Sequence, residues 1–297
     1  MKYTIKDFQT KFPTDAACLT VIFNAVHPEG ASCPKCSHKD SYYPLSKRRA
    51  YVCSRCGHHI YPTAGTIFHK SPTALSSWFF AMFLMATSKN GVSAKELQRQ
   101  VGVTYKCAWR MAHQIRQLMQ QDGEIMTGIV EADETYVGGK DINKHANRRQ
   151  RRRGRAAGGK TPVVGVLERG GNVSAKVVED VGASSIMPHL MANVREGSLI
   201  ATDEWQTYKV LPHFGYQHAT VNHKDKEFVK GVAHTNSIEG FWSQLKRSIN
   251  GTFHQVSPKH LQKYVNEFAY RYNRRKSATP MFVHLLSGAA GRHAPAV

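Results

Sequence analysis

The sequence predicts a multi-domain α+β protein in which a small cysteine-framed module and a helical pair precede a mixed β-sheet domain flanked by helices. Three observations predict it. Two CxxC pairs, "CPKC" (33–36) and "CSRC" (53–56), are separated by sixteen residues. Helical periodicity then runs through "SPTALSSWFFAMFLMATSK" and "GVSAKELQRQVGVTYKCAWRMAHQIRQLM". From about residue 125, short apolar runs bounded by glycine alternate with helical stretches.

Composition narrows the function before any motif is read. The 297-residue chain carries 41 Lys and Arg against 21 Asp and Glu, a formal net charge of +20. Such an excess opposes compaction and favours a polyanionic partner, nucleic acid first. An acidic membrane is the second candidate, but no apolar run reaches the roughly 20 residues that span a bilayer. "AACLTVIFNAV" (16–26) is too short, and Asp7 and Asp15 precede it where a signal peptide carries basic residues. "WFFAMFLMA" (78–86) is also short and reads as a buried helix. The expectation is a soluble, cytoplasmic (nucleoid-associated) protein with no membrane partner. In a reducing compartment the two cysteines outside the pairs, Cys18 and Cys107, read as core residues.

After an N-terminal helical segment (1–30), residues 31–68 form the cysteine-framed module. Its spacing is that of a zinc ribbon, with Cys33, Cys36, Cys53 and Cys56 as four thiolates around one tetrahedral Zn²⁺. So small a unit buries too little apolar surface to fold without a metal, and four cysteines leave no open position for catalysis. The alternatives are a redox site or a chance pair of CxxC turns, and His58 and His59 are competing ligands. "YYPLSKRRAYV" reads as short strands and "CGHHIYPTAGTIFH" as a continuing hairpin.

Residues 72–122 read as a helix-turn-helix DNA-binding region. Ser93 and Glu96 form a capping box, Gly102 makes the turn, and Thr104 caps a longer helix through Met119. Lys106 and Arg110 fall on the exposed side of that helix, with Trp109 and Ile115 among its buried residues. An ordinary helical pair has the same pattern; the charge favours DNA.

Residues 125–277 carry strands in "IMTGIVEADETYVGG", "TPVVGVLER", "NVSAKVVED", "GSLIATDEW" and "YQHATVN", with a short helix in "SSIMPHLMANV". Two helices close the region, "NSIEGFWSQLKRSI" and "SPKHLQKYVNEFAYRYNRR". Three neighbouring strands, a helix, a strand, a connection, a strand and a helix match a ribonuclease H-like mixed sheet. The basic run 140–160 reads as a loop, and residues 278–297 as a poorly ordered C-terminal tail.

Within this domain Asp133 follows the apolar strand "GIV", and Asp203 ends the apolar strand "SLIA". A carboxylate at the centre or end of a buried strand is costly unless paired, hydrogen-bonded or metal-bound, although strand-end aspartates often only cap loops. Glu131 and Glu134 are rivals to Asp133, and Glu131 shares its strand parity. Thirty-five residues separate Asp203 from Glu239, and Lys246 lies two helical turns further on the same face. Trp242 reads as core on that helix. Trp205 is either packed or placed to stack on a base.

Taken together, the ribbon, "GTIFHKSPTALSSWF", "EADETYVGG", "TDEWQTY", "HTNSIEGFWSQLKR" and "YVNEFAYRYNRR" resemble the DDE-class insertion-sequence transposases with an N-terminal zinc ribbon, the ISXO type. The likeness covers most of the chain. It implies DNA cleavage and strand transfer, with Asp133 and Asp203 as metal ligands, Glu239 as the third carboxylate and Lys246 as its basic companion. In some relatives an asparagine takes the third role, and Asn236 stands one turn earlier; it serves equally as an N-cap. Glu239 is preferred because carboxylate oxygens bind Mg²⁺ more strongly than a neutral amide. Mg²⁺ or Mn²⁺ is expected on these hard oxygens, separate from the thiolate-bound Zn²⁺. The implied partners are double-stranded DNA (terminal inverted repeats and target) and further copies of the chain. The rival readings are a non-enzymatic zinc-ribbon/helix-turn-helix DNA-binding protein and a structure-selective nuclease on the same fold.

Overall fold

The structure is a computed structural model that describes residues 3–120, 123–139, 159–203, 206–221 and 234–291. The chain divides into two compact units, residues 1–118 with 277–297, and residues 119–276. Most of the basic run 140–160, and Trp205, lie outside the described residues.

In the first unit, α1 (Ile5–Lys11) and α2 (Asp15–Val26) begin at Thr4 and Thr14, whose hydroxyls accept the orphan first-turn amides of Asp7 and Ala17. A three-stranded antiparallel sheet follows, of β1 (Tyr42–Pro44), β2 (Tyr51–Cys53) and β3 (His59–Ile60). Tyr51 of β2 stacks on Phe23 of α2 at 4.1 Å, tying the sheet to the helices. The expected hairpin beyond the second CxxC pair stops at Ile60; residues 62–70 are turns, shaped by Gly65 and Lys70 at positive φ.

Next come α3 (Leu75–Thr87), α4 (Ala94–Val101) and α5 (Tyr105–Leu118). Asp15 caps α3 from outside: its carboxylate accepts from Leu75 N and Ser76 N at 3.0 Å and pairs with Arg49 at 3.2 Å. α3 is buried nearly all round, as its apolar composition requires, and among the described residues no helix is long and apolar enough to cross a membrane. Ser93 accepts from Glu96 N, half of the expected box, while the Glu96 carboxylate accepts from Arg99 and Gln100. Gly102 ends α4 in the left-handed conformation at φ 74°, and Thr104 accepts from Cys107 N. Cys18 is buried in the core; Cys107 is partly buried, with its sulfur 3.7 Å from Met111 Sδ.

Two expectations are corrected in this unit. Trp109 is 37% exposed, because it follows Tyr105 by four residues and so shares its outward face; its ring packs on His113. Residues 281–291 of the expected tail form α9 (Met281–Gly291). Phe282, Leu285 and Ala289, spaced on one helical face, are buried, and Phe282 meets Phe8, Phe12 and Phe83 at 5.7 Å each.

The second unit is a five-stranded mixed sheet with helices on both faces. Its strands are β4 (Ile129–Val137), β5 (Thr161–Glu168), β6 (Val173–Val177), β7 (Leu199–Asp203) and β8 (Gln217–Val221), in the order β6-β5-β4-β7-β8. β4, β5 and β6 pair antiparallel, while β7 and β8 run parallel to β4. That is the ribonuclease H-like arrangement the element order predicts. One face carries α6 (Ala183–Asn193) and the 3₁₀ helix Gln206–Phe214, packed on Val130, Ala132, Val164, Val166 and Ile200. The other carries α7 (Asn236–Ser248) and α8 (Pro258–Asn273), packed on Val137, Val163, Leu167 and Val173. α7 docks through Ile238, Phe241, Trp242, Leu245 and the following Ile249, an i, i+3, i+4, i+7, i+11 stripe that makes one face of a helix.

Candidate metal and active sites

The two CxxC pairs fold as repeated knuckles. In the first, Cys33 N donates to His38 O and Ser37 N to Cys33 O; in the second, Cys53 N donates to His58 O and Gly57 N to Cys53 O. Each closes through positive φ, 56° at Ser37 and 69° at Gly57. The four sulfurs converge, with Cys33–Cys56 at 3.5 Å and Cys36–Cys53 at 3.7 Å, and none is in a disulfide. Burial opposes ionisation of Cys33, yet the backbone N–H groups of Lys35 and Cys36 hold its thiol down to about 5. His58 and His59 are outside this group among the described residues.

The carboxylates of the second unit meet through strand register. Parallel pairing sets Ile129 beside Leu199 and Glu131 beside Ala201. Two residues further, on the same face, Asp133 and Asp203 come side by side. Their carboxylates and that of Glu134 offer oxygens that all lie within 4.8 Å of one another. Glu134 belongs to the opposite face, where the buried Tyr208 donates to its Oε2 at 3.2 Å. Burial, with the charge of Glu134 beside it, pushes the Tyr208 phenol well above its ordinary value, so it stays a donor.

Asp133 is held by a partner from α7: Trp242 Nε1 donates to its Oδ2 at 3.0 Å. Trp242 reaches it across Gly165, the cross-strand partner of Asp133 on β5. A Cβ at Gly165 would lie 2.7 Å from the indole ring. Burial raises the Asp133 carboxyl to about 6, against the lowering effect of the Glu134 backbone bond, and the charges of Asp203 and Glu239 push it further up.

Glu239 thus stands near enough to act on Asp133, but it is outside the 4.8 Å group. Its Oε1 accepts from Thr235 Oγ1 at 2.8 Å. Asn236 is the first residue of α7 and exposed; Thr235 holds the cap position, so Asn236 is not the N-cap. Lys246 is exposed on the same helix. Glu131 shares the face of Asp133, as its parity requires, yet it is fully buried and bonded to Ser237 N, Ile238 N and Arg169.

Sequence reasoning missed the Trp242 bond. Gly165 was the available signal for it, since an interior strand glycine marks a close approach. Glu134, a rival to Asp133 by sequence, joins Asp133 and Asp203 in the cluster instead of replacing Asp133.

A ribonuclease H-like sheet that sets Asp133, in the middle of β4, beside Asp203 at the end of the parallel β7, in a chain that also carries a cysteine ribbon, is the arrangement expected of a DDE-type transposase. Residues 125–273 match the ISXO2-like transposase domain, and residues 13–59 the transposase zinc-ribbon domain. The chain belongs to the ISXO2-like transposase family. It is similar to a protein of Halobacterium salinarum described as an uncharacterized protein in transposable element ISH50, 27% identical over 253 residues, 82% of this chain and 85% of the relative. An uncharacterized transposase-like protein of Haemophilus influenzae is 27% identical over 114 residues, 38% of this chain and 91% of its own. A chain in the cryo-electron-microscopy structure of the simian T-cell lymphotropic virus intasome with PP2A regulatory subunit B56 gamma aligns at 16% identity and a TM-score of 0.30, covering 63% of this chain and 64% of that one.

Proposed function

We propose that this transposase-family protein binds the ends of its insertion sequence and carries out metal-dependent DNA cleavage and strand transfer. The observation that carries the reading is the meeting of Asp133 and Asp203 on adjacent parallel strands, beneath a helix whose Glu239 acts electrostatically on Asp133. Asp133, raised to about 6 chiefly by burial and further by the charges of Asp203 and Glu239, belongs to a donor set suited to a hard divalent cation. Asp133, Asp203 and Glu239 would hold Mg²⁺ or Mn²⁺, with Asn236 as the alternative third donor. Bound there, two such ions would activate a water or 3′-hydroxyl and offset charge on the leaving oxygen. Trp242 fixes one oxygen of Asp133, and Lys246 offers a positive charge to the phosphate two turns beyond Glu239.

The remaining assignments follow the same reading. Sulfur spacings of 3.5 and 3.7 Å fit the edge of a tetrahedron with 2.3 Å bonds, about 3.8 Å, and exceed a disulfide's ~2.05 Å. Cys33, Cys36, Cys53 and Cys56 would therefore hold a structural Zn²⁺. Residues 31–68 are the ribbon, 72–122 the duplex-binding region and 125–277 the catalytic domain. Tyr105, Lys106, Trp109 and Arg110 on the outer side of α5 suit a duplex, cations for phosphates and rings for base edges. Two ends are joined by a homo-oligomer, acting in the cytoplasm on the nucleoid.

Incubating the protein with the element's terminal inverted repeats and Mg²⁺ is expected to yield nicked and joined ends. Asp133→Asn and Asp203→Asn should each lower that rate roughly a thousandfold or more while leaving duplex binding intact. Joining that survives both substitutions overturns the site. Duplex binding with no cleavage of any end sequence supports instead a DNA-binding protein without catalysis, a reading favoured by one observation, the Glu239 carboxylate bound to Thr235 outside the 4.8 Å group.

A further inference from the structure

We infer that Glu131 is a positioning residue whose buried carboxylate clamps the N-terminus of α7 to β4 and so sets where Glu239 stands relative to Asp133. The inference rests on the reading above, in which Glu239 shares a cation site with Asp133. Glu131 lies two residues before Asp133 on the same strand face, which makes it a rival ligand by parity. Its oxygens are already committed. Oε2 accepts from Ser237 N at 2.9 Å and Ile238 N at 3.0 Å. Oε1 accepts from Arg169 Nε at 2.8 Å, with His234 Nδ1 3.2 Å away. Arg169 closes the ring by donating to His234 O at 2.8 Å.

These contacts do what an N-cap does, from a distant strand. The first amides of a helix have no intrahelical partner, and the positive end of the helix dipole favours a carboxylate there. The residue in the cap position is Thr235, but its hydroxyl donates to Glu239 Oε1 at 2.8 Å. Thr235 is therefore released to orient Glu239 because Glu131 supplies the cap. One strand then carries both the anchor of α7 and Asp133, so the spacing between Asp133 and Glu239 follows from β4 itself. Glu131 is fully buried, and a buried carboxylate left without partners is strongly unfavourable, so only the docked position of α7 satisfies it.

The test is a Mn²⁺ titration of the full chain, read by the spin resonance of free Mn²⁺, arranged as a double-mutant cycle. Glu131→Gln keeps an acceptor for Ser237 and Ile238 but loses the charge that holds Arg169. It is expected to weaken Mn²⁺ binding about tenfold, and to add nothing in a Glu239→Ala background, where the group it positions is gone. Unchanged affinity in Glu131→Gln, or an equal loss with and without Glu239, overturns the clamp, since a general structural defect would not depend on Glu239. Asp133→Asn separates the two levels: if it leaves Mn²⁺ binding intact, the cation site itself is wrong and the clamp has nothing to position. Should Glu131→Gln fail to fold, Arg169→Lys takes its place in the cycle, because lysine keeps the charge but cannot bridge Glu131 and His234 with one planar fork.

Discussion

The cysteine knuckles and the carboxylate cluster are both gatherings of ligand-type atoms, yet they are built in opposite ways. Each knuckle is made by six consecutive residues whose own backbone bonds aim two sulfurs, and the second repeats the first. The carboxylates come from β4 and β7, seventy residues apart in register, and their neighbour Glu239 comes from α7. The knuckles need only a local turn; the carboxylates need the whole sheet in register and α7 docked upon it. Where atoms are aimed by local backbone, the site should depend on its metal. Where they are aimed by tertiary packing, the site should depend on residues far from the chemistry.

Removing the metal tests the first half of that contrast and carries the largest effect. Structural Zn²⁺ in small modules contributes on the order of 10 kcal/mol, so chelation, or Cys36→Ser, should strip amide-exchange protection from Cys33 and Cys53 while β4 and β5 keep theirs. Equal loss in both places would erase the distinction.

The second half is tested at Gly165. An alanine there would push against the Trp242 ring at 2.7 Å, an overpacking expected to cost about 1–3 kcal/mol. The melting temperature should fall, and the indole N–H resonance of Trp242 should move as its bond to Asp133 is disturbed. In a Trp242→Phe background, whose ring is smaller, the same substitution should cost less. An unchanged resonance in Gly165→Ala would show that the packing does not aim Asp133.

A smaller effect sharpens the comparison through pH. Asp133 titrates near 6 in the folded chain, above its ordinary value of 3.8, chiefly through burial. The folded state therefore holds a proton that the unfolded chain releases, a contribution fully present below about 4 and lost as pH rises through about 6. In buffer free of divalent ions, Asp133→Asn should raise unfolding stability at pH 7.5 by on the order of 2 kcal/mol, and by little at pH 4. A gain that is the same at both values would remove burial of the charge as the cause.

Much of this was legible in the residues. CxxC spacing located all four sulfurs, and the order of strand and helix patterns located the mixed sheet. Parity put Glu131 on the face of Asp133, but it could not say that α7 would consume its carboxylate. The outward turn of Trp109 and the helix over 281–291 were misread for a shared reason: an apolar side chain does not declare what will cover it. Trp242 was read as core, which it is; that its N–H would find Asp133 depended on a glycine in a neighbouring strand.

By itself, the amino-acid order determined the helices, the strands, the knuckles and the identity of the ionisable groups, because periodicity, capping and short turns act over a few residues. Only the tertiary structure decided which carboxylates share a space. Glu131 became an anchor, and Asp133 and Asp203 neighbours, because parallel register and helix docking are set by burial over the whole domain, which no short stretch of chain encodes.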